Sequence, residues 1–98
     1  MAQFDYFAGS AAGYMLDVQA DLMDRLNTRI VVPLLPLTRA PTPARRLNPV
    51  FRIAGDEFMM ATQFLAAIPA SELTAKLGSL AHERSQIKAA VDMLFDGF

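Results

Sequence analysis

The single histidine, His82, is followed directly by Glu83, which is how a two-histidine zinc-hydrolase helix begins. That chemistry needs a second imidazole one helical turn later, and position 86 is glutamine. One imidazole beside one carboxylate does not complete a tetrahedral zinc site, so a histidine in the first turn of a helix is the plainer account. Asp17, Asp21 and Asp24 could offer oxygens to a hard cation. Their spacing fits no calcium loop and no glycine accompanies them, so solvated strand and turn acids explain them. Arg39, Arg45, Arg46 and Arg52 could bind phosphate. With no aromatic interleaved between Arg39 and Arg46, and a formal net charge of −1, a solvated basic loop is the simpler reading. No glycine-rich phosphate loop and no nucleophile–base–acid set is legible, so the usual parts of an enzyme are missing.

A different kind of chemistry is concentrated at residues 79–98. Ile87, Ala90, Val91 and Leu94 recur at helical spacing, with Leu80 and Phe95 extending the stripe. Glu83, Gln86, Lys88 and Asp92 fall on the opposite face. The expectation is a terminal helix that buries one side and projects a free tip, Asp96-Gly97-Phe98. Gly97 is suited to a left-handed helix cap. Asp92, Asp96 and the carboxylate of Phe98 then lie at the negative end of the helix dipole, where each anion costs up to about 1 kcal/mol. Either a side chain of the arginine-bearing loop neutralises them, or the cluster awaits a basic partner.

The elements that must position this helix are short strands. Phe4 and Tyr6 alternate with Gln3 and Asp5, Gly9-Ser10 supplies a turn, and Tyr14, Leu16 and Val18 alternate with Met15, Asp17 and Gln19. Leu22-Met23 is an exposed apolar pair in a polar stretch. Ile30-Val31-Val32 is β-branched and continuous, the pattern of a strand covered on both faces, and Pro33 is expected to end it. The proline- and arginine-rich stretch 33–49 reads as a stiff connection. Val50–Ile53 and Phe58–Phe64 read as a hairpin turned at Gly55-Asp56-Glu57, stopped by Pro69, and 71–78 as a short turn of helix. The fold class is therefore α+β: about five antiparallel strands, curled into a small barrel with the helix laid against one side.

Composition fits that scheme. At 98 residues, 53% apolar and 19% charged, the chain is expected to form one domain, 1–98, with a substantial core. The apolar excess for so small a domain hints at burial between subunits. There is no cysteine, which removes disulfides and thiolate chemistry and is compatible with a reducing cytoplasm. No apolar run reaches membrane-spanning length and the first ten residues lack signal-peptide character, so a cytoplasmic protein with no membrane association is expected.

Several segments together resemble a known family. The run Leu16–Asp24 looks like the DVQSD segment of CcdB-type toxins, and Arg29–Leu34 resembles their R-x-V-I-P-L strand. Asn48-Pro49-Val50, Met60-Ala61-Thr62 and Ile68-Pro69 fit the middle of the pattern. Leu80-Ala81-His82 through Ile87–Ala90 is similar to the opening of the family's terminal helix, and Leu94-Phe95-Asp96-Gly97-Phe98 to its F-W-G-I ending. The resemblance covers nearly the whole chain in the right order.

It implies an SH3-like barrel with a C-terminal helix, a twofold homodimer, and a non-enzymatic toxin of a toxin–antitoxin module that poisons DNA gyrase. Such a dimer wedges into the gate of the gyrase A subunit and traps cleaved DNA, until a CcdA-like antitoxin neutralises it through a tail that orders on binding. DNA would be met only through gyrase or the antitoxin complex. Carried over by position, the gyrase-contacting residues are Asp92, Phe95, Asp96, Gly97 and Phe98, with Leu22 and Met23 nearby. Antitoxin would contact Leu22, Met23, Arg84 and Lys88. No cofactor, metal or catalytic residue is implied. The chain departs from the pattern where Asp96 replaces the tryptophan of that ending and Phe98 the isoleucine. An ion pair to gyrase arginines would then stand where the family stacks a ring. Two alternatives follow from the same fold: an endoribonuclease like the MazF and Kid toxins, built from the arginine loop and strand acids, or a CcdB-like interaction domain that has lost gyrase poisoning.

Overall fold

The computed structural model describes residues 2–98. Seven strands form one antiparallel sheet: β1 (Asp5–Ala8), β2 (Tyr14–Asp17), β3 (Thr28–Pro36), β4 (Val50–Ile53), β5 (Asp56–Met60), β6 (Ala66–Pro69) and β7 (Lys76–Ser79). The helix α1 (Arg84–Asp96) follows a short 3-10 turn at Ala81–Glu83. The sheet runs β4-β5-β3-β2-β1-β7, and β6 pairs with β3 beside β5. The sheet curls into a half-barrel, and α1 packs Ile87 and Ala90 into its main core: the α+β class that the strand-then-helix pattern predicts, with seven strands in place of about five.

The centre of the sheet is β3, and Pro33 does not end it. Its first half, Thr28–Val31, pairs with β6 and its last part, Leu34–Pro36, with β5, all on one edge. Its other edge pairs continuously with β2 through Asp17↔Val31, Leu16↔Val32, Met15↔Pro33 and Tyr14↔Leu34. The N–H and C=O of one strand residue point to the same edge, and the Pro33 carbonyl accepts from Ala61 N at 2.9 Å. A donor at position 33 would therefore face the gap where β6 gives way to β5. Proline is tolerated because that N–H has no ladder to join.

Other local expectations shift for equally local reasons. The strand β1 starts at Asp5 because Phe4 adopts a left-handed backbone, φ 73°, with its N–H on Asp17 O and its carbonyl on Leu80 N. Ser10–Gly13, not Gly9-Ser10, makes the first hairpin turn: Gly13 N donates to Ser10 O at 3.0 Å and Ala11 and Ala12 are both left-handed. Gly13 is obligatory there, since a Cβ would lie 2.3 Å from Leu34 O. The second hairpin turns at Ala54-Gly55 instead of Gly55–Glu57, and β5 stops at Met60, before a 3-10 turn at Thr62–Phe64. Pro69 closes a strand of its own, β6, and the stretch read as a turn of helix is a 3-10 turn, Ala70–Glu72, followed by β7.

Alternation along the strands divides the apolar side chains between two faces. Phe4, Leu16, Val32, Leu34, Phe51, Ile53, Phe58, Met60 and Leu80 form the main core with Ile87 and Ala90 of α1. Phe7, Val31 and Leu73 make a smaller cluster on the other face, joined by Met15 and Ile68. Val31 and Val32 thus bury opposite ways, as a strand covered on both faces requires. Ile87 is wholly buried, and burial of that size contributes roughly 1.5–3 kcal/mol. The helical stripe is real through Leu80, Ile87, Ala90 and Val91, but Phe95 leaves it: the residue is 67% exposed. Among the described residues no helix is long and apolar enough to cross a membrane.

Candidate functional site

Helix α1 ends as its glycine predicts. Gly97 has φ 80° and donates to Met93 O at 3.0 Å, closing the last turn in the left-handed conformation that glycine adopts without steric penalty. No basic residue sits in that last turn. Among the described residues neither Asp92 nor Asp96 forms an ion pair, so no side chain of the arginine-bearing loop neutralises them. Phe95 and Phe98 stand in solvent at 67% and 79% exposure. The tip therefore combines two exposed aromatic rings with acids at the unfavourable end of a helix dipole.

The neighbouring surface is assembled by Gln3, which the sequence marks only as a polar position in the alternation of the first strand. Its backbone N–H donates to Asp21 Oδ1 at 2.8 Å and its amide to Val18 O at 3.2 Å. Its carbonyl oxygen accepts from Arg84 Nη1 at 3.4 Å, while the Arg84 guanidinium lies 5.6 Å from the centre of the Phe4 ring. Gln3, Phe4 and Val18 face Ile87, Lys88, Val91 and Asp92 across a crevice of about 130 Å³. Arg84, Lys88 and Asp92 are thereby brought to one face with the Asp21–Met23 turn, on which Leu22 is 90% exposed and Met23 about half. Phe95, Asp96, Gly97 and Phe98 continue the same helix beyond this crevice.

Beneath the turn lies an ion pair that sequence spacing gave no reason to expect. Asp17 is not a solvated strand acid: it is fully buried, with Arg29 only 1% exposed. Arg29 Nε donates to Asp17 Oδ2 at 2.8 Å, Nη2 lies 2.7 Å from the same oxygen, and Gln19 N donates to Oδ1 at 3.0 Å. Gln19 carries the link outward, donating to Met23 O at 2.7 Å and accepting from Ile30 N at 3.0 Å. Burial pushes the Asp17 carboxyl above its ordinary value, opposed by the Gln19 amide and the Arg29 guanidinium. Arg29 Nη1 is buried with no hydrogen-bond partner among the described residues. The pair anchors the exposed Leu22-Met23 turn to the sheet.

The histidine and the buried acids lie in separate settings. His82 is 4.0 Å from Glu83 and mostly exposed, Asp17 is committed to Arg29, and Asp5 meets Lys76 Nζ at 3.3 Å and Ala2 N at 2.9 Å. Among the described residues no three histidine or acidic groups are placed to share a metal ion.

The fold and this surface define a small curled-sheet domain that exposes a helix end and an apolar turn. A sequence model described as CcdB protein matches residues 3–97. The chain belongs to the CcdB family, and so to the toxins of toxin–antitoxin modules.

Proposed function

We propose that this chain is a gyrase poison: a homodimer whose paired helix tips bind the DNA gyrase A subunit and hold the enzyme on cleaved DNA, without catalysis of its own. A CcdA-like antitoxin would relieve it in the cytoplasm by covering Leu22, Met23, Arg84 and Lys88. The carrying observation is the tip, where Phe95 and Phe98 are solvent-exposed beside Asp92 and Asp96, acids without a counter-charge among the described residues. Exposed rings offer aromatic anchors to a partner's pocket. Unneutralised acids beside them favour a basic surface, and a nucleic-acid-handling enzyme has one. Asp96 then makes a charged contact at the position where the family's F-W-G-I ending carries a tryptophan. Leu22 and Met23, held beside the helix through Gln3 and Asp21, widen the contact.

Removing Asp96-Gly97-Phe98 tests this directly. The expected result is a loss of about 100-fold in affinity for a gyrase A fragment, roughly 3 kcal/mol. Toxicity should disappear while the thermal midpoint stays near that of the intact chain. Undiminished binding and toxicity would take the tip out of the mechanism. Incubating the purified protein with RNA gives the competing outcome: discrete cuts would favour the ribonuclease reading.

A further inference from the structure

Between Asp24 and Asp56 the chain carries no acidic residue, and Arg39, Arg45, Arg46 and Arg52 lie in that interval. All four are exposed, and among the described residues none forms an ion pair. A loop of free cations needs no fixed shape, yet part of this one is locked. Asn48, almost fully buried, accepts from Ala44 N at 3.0 Å and donates to Met60 O at 3.0 Å and Gln63 Oε1 at 2.8 Å. Asn48 N returns to Ala44 O at 2.9 Å, Leu47 N reaches Arg45 O at 2.7 Å, and the Thr62 hydroxyl donates to Leu47 O. The turn so fixed holds Arg46 at φ 66°. That left-handed conformation disfavours any residue with a Cβ by roughly 1–2 kcal/mol, and glycine would avoid the penalty. Beside Arg46 a crevice of about 280 Å³ opens between the turn and α1, lined by Arg46, Pro49, Gln86 and Ala89.

A strained arginine, a second arginine beside it, no counter-charge among the described residues and an adjoining crevice with Pro49 and Ala89 in its wall specify a ligand with two kinds of chemistry. We propose that the 44–48 turn is a docking site for an acidic polypeptide segment carrying an apolar side chain. Carboxylates would meet Arg45 and Arg46, and the apolar group would enter the crevice over Pro49 and Ala89. Nucleic acid suits the site less well. A phosphate backbone has nothing for the crevice, Phe51 is buried and offers no face for a base, and the whole chain is slightly acidic. This chain's own tip, with Asp92, Asp96 and exposed phenylalanines, has the required chemistry too, which makes a second copy the competing occupant.

The test uses the full chain and fluorescence anisotropy of a labelled peptide, EDLFEDE, at low salt. Binding in the range of about 10–100 µM is expected, falling about tenfold when Arg45→Glu and Arg46→Glu are combined. It should fall several-fold for the peptide EDSSEDE, which lacks the apolar residues. Arg46→Gly guards against a folding artefact: it should weaken the peptide several-fold while raising the thermal midpoint, because the backbone strain is relieved. The proposal is overturned if the double substitution leaves peptide binding unchanged, if EDSSEDE binds equally well, or if a short DNA duplex binds more tightly than EDLFEDE. Loss of self-association in the double variant, seen by sedimentation, would assign the site to a second copy instead. Binding of the gyrase A fragment is expected to survive the double substitution, so failure here and failure of the tip mechanism are separately visible.

Discussion

The acidic helix end and the arginine-bearing turn are both exposed and opposite in charge, and they are held in opposite ways. At the tip the backbone is relaxed: Gly97 takes the left-handed cap without a Cβ to strain it. The mismatch there is electrostatic, Asp92 and Asp96 standing at the wrong pole of α1. At the turn the side chains project freely and the mismatch is in the backbone, with Arg46 forced to a positive φ by the bonds of Asn48 and Thr62. Each region keeps one feature that stability alone would remove, and local inconsistency of that kind collects at surfaces used for contact. The difference teaches how each could be used. A relaxed tip can adapt its last residues to a large partner, whereas a locked turn fixes the backbone from which Arg45 and Arg46 project.

The most severe way to probe this contrast is to damage the support of one region only. Arg29→Met leaves the buried Asp17 carboxylate without its cation, and breaking such a pair costs about 3–5 kcal/mol. Urea denaturation should show that loss at neutral pH, together with weakened gyrase binding through the loosened Asp21–Met23 turn. Anisotropy with EDLFEDE at the remote 44–48 turn should not change. The deficit should also shrink on acidification. Because burial raises the Asp17 carboxyl above its ordinary value, the native state takes up its proton at a higher pH than the unfolded chain does. Stability from this group is thus fully present below the unfolded pKa and is lost as pH rises through the raised one. Removing the guanidinium takes away a lowering influence and steepens that dependence. A deficit that grew toward low pH would contradict this assignment.

Asn48→Ala is the matching disruption of the turn. It deprives Ala44 N of its acceptor and Gln63 Oε1 of its donor, leaves Met60 O only the longer bond from the Thr62 hydroxyl, and frees Arg46 from its fixed conformation, at a cost of about 1–3 kcal/mol. Here the peptide should weaken and gyrase binding should persist, the reverse of Arg29→Met. If both variants weakened both ligands alike, the two regions would not be independent surfaces.

How far these regions could be read in advance depended on how local their causes are. The buried positions of α1 were legible because Ile87, Ala90 and Val91 repeat at the helical period, and Gly97 marked the cap by its own chemistry. The strands β6 and β7 were not legible. Ala66–Pro69 and Lys76–Ser79 have little strand propensity of their own and are extended because β3 and β1 supply ladders for them. Pro33 misled for the same reason, since its tolerance depends on which neighbour is missing at one edge. The proposed contact residues come from family resemblance alone, and of them Leu22, Phe95 and Phe98 are well exposed. What binds that surface together was hidden: Asp17 and Arg29 are twelve positions apart, and Gln3 meets Arg84 across almost the whole chain. Pairings between distant positions leave no periodic trace in a single sequence.

The finest test of the contrast is Asp96→Lys, where stability and binding should move in opposite directions. A cation in the last turn of α1 interacts favourably with the helix dipole where Asp96 opposes it, a change of about 0.3–1 kcal/mol at an exposed site. The thermal midpoint should therefore rise slightly, and the rise should fade in high salt as the charges are screened. Binding to the gyrase A fragment should weaken, because the substitution places like charge against a basic surface. The peptide at the 44–48 turn should be indifferent. Tighter gyrase binding would exclude an ion pair at position 96. A lowered midpoint would show that Asp96 is already satisfied within the folded chain, in which case the tip would share the self-sufficiency of the turn.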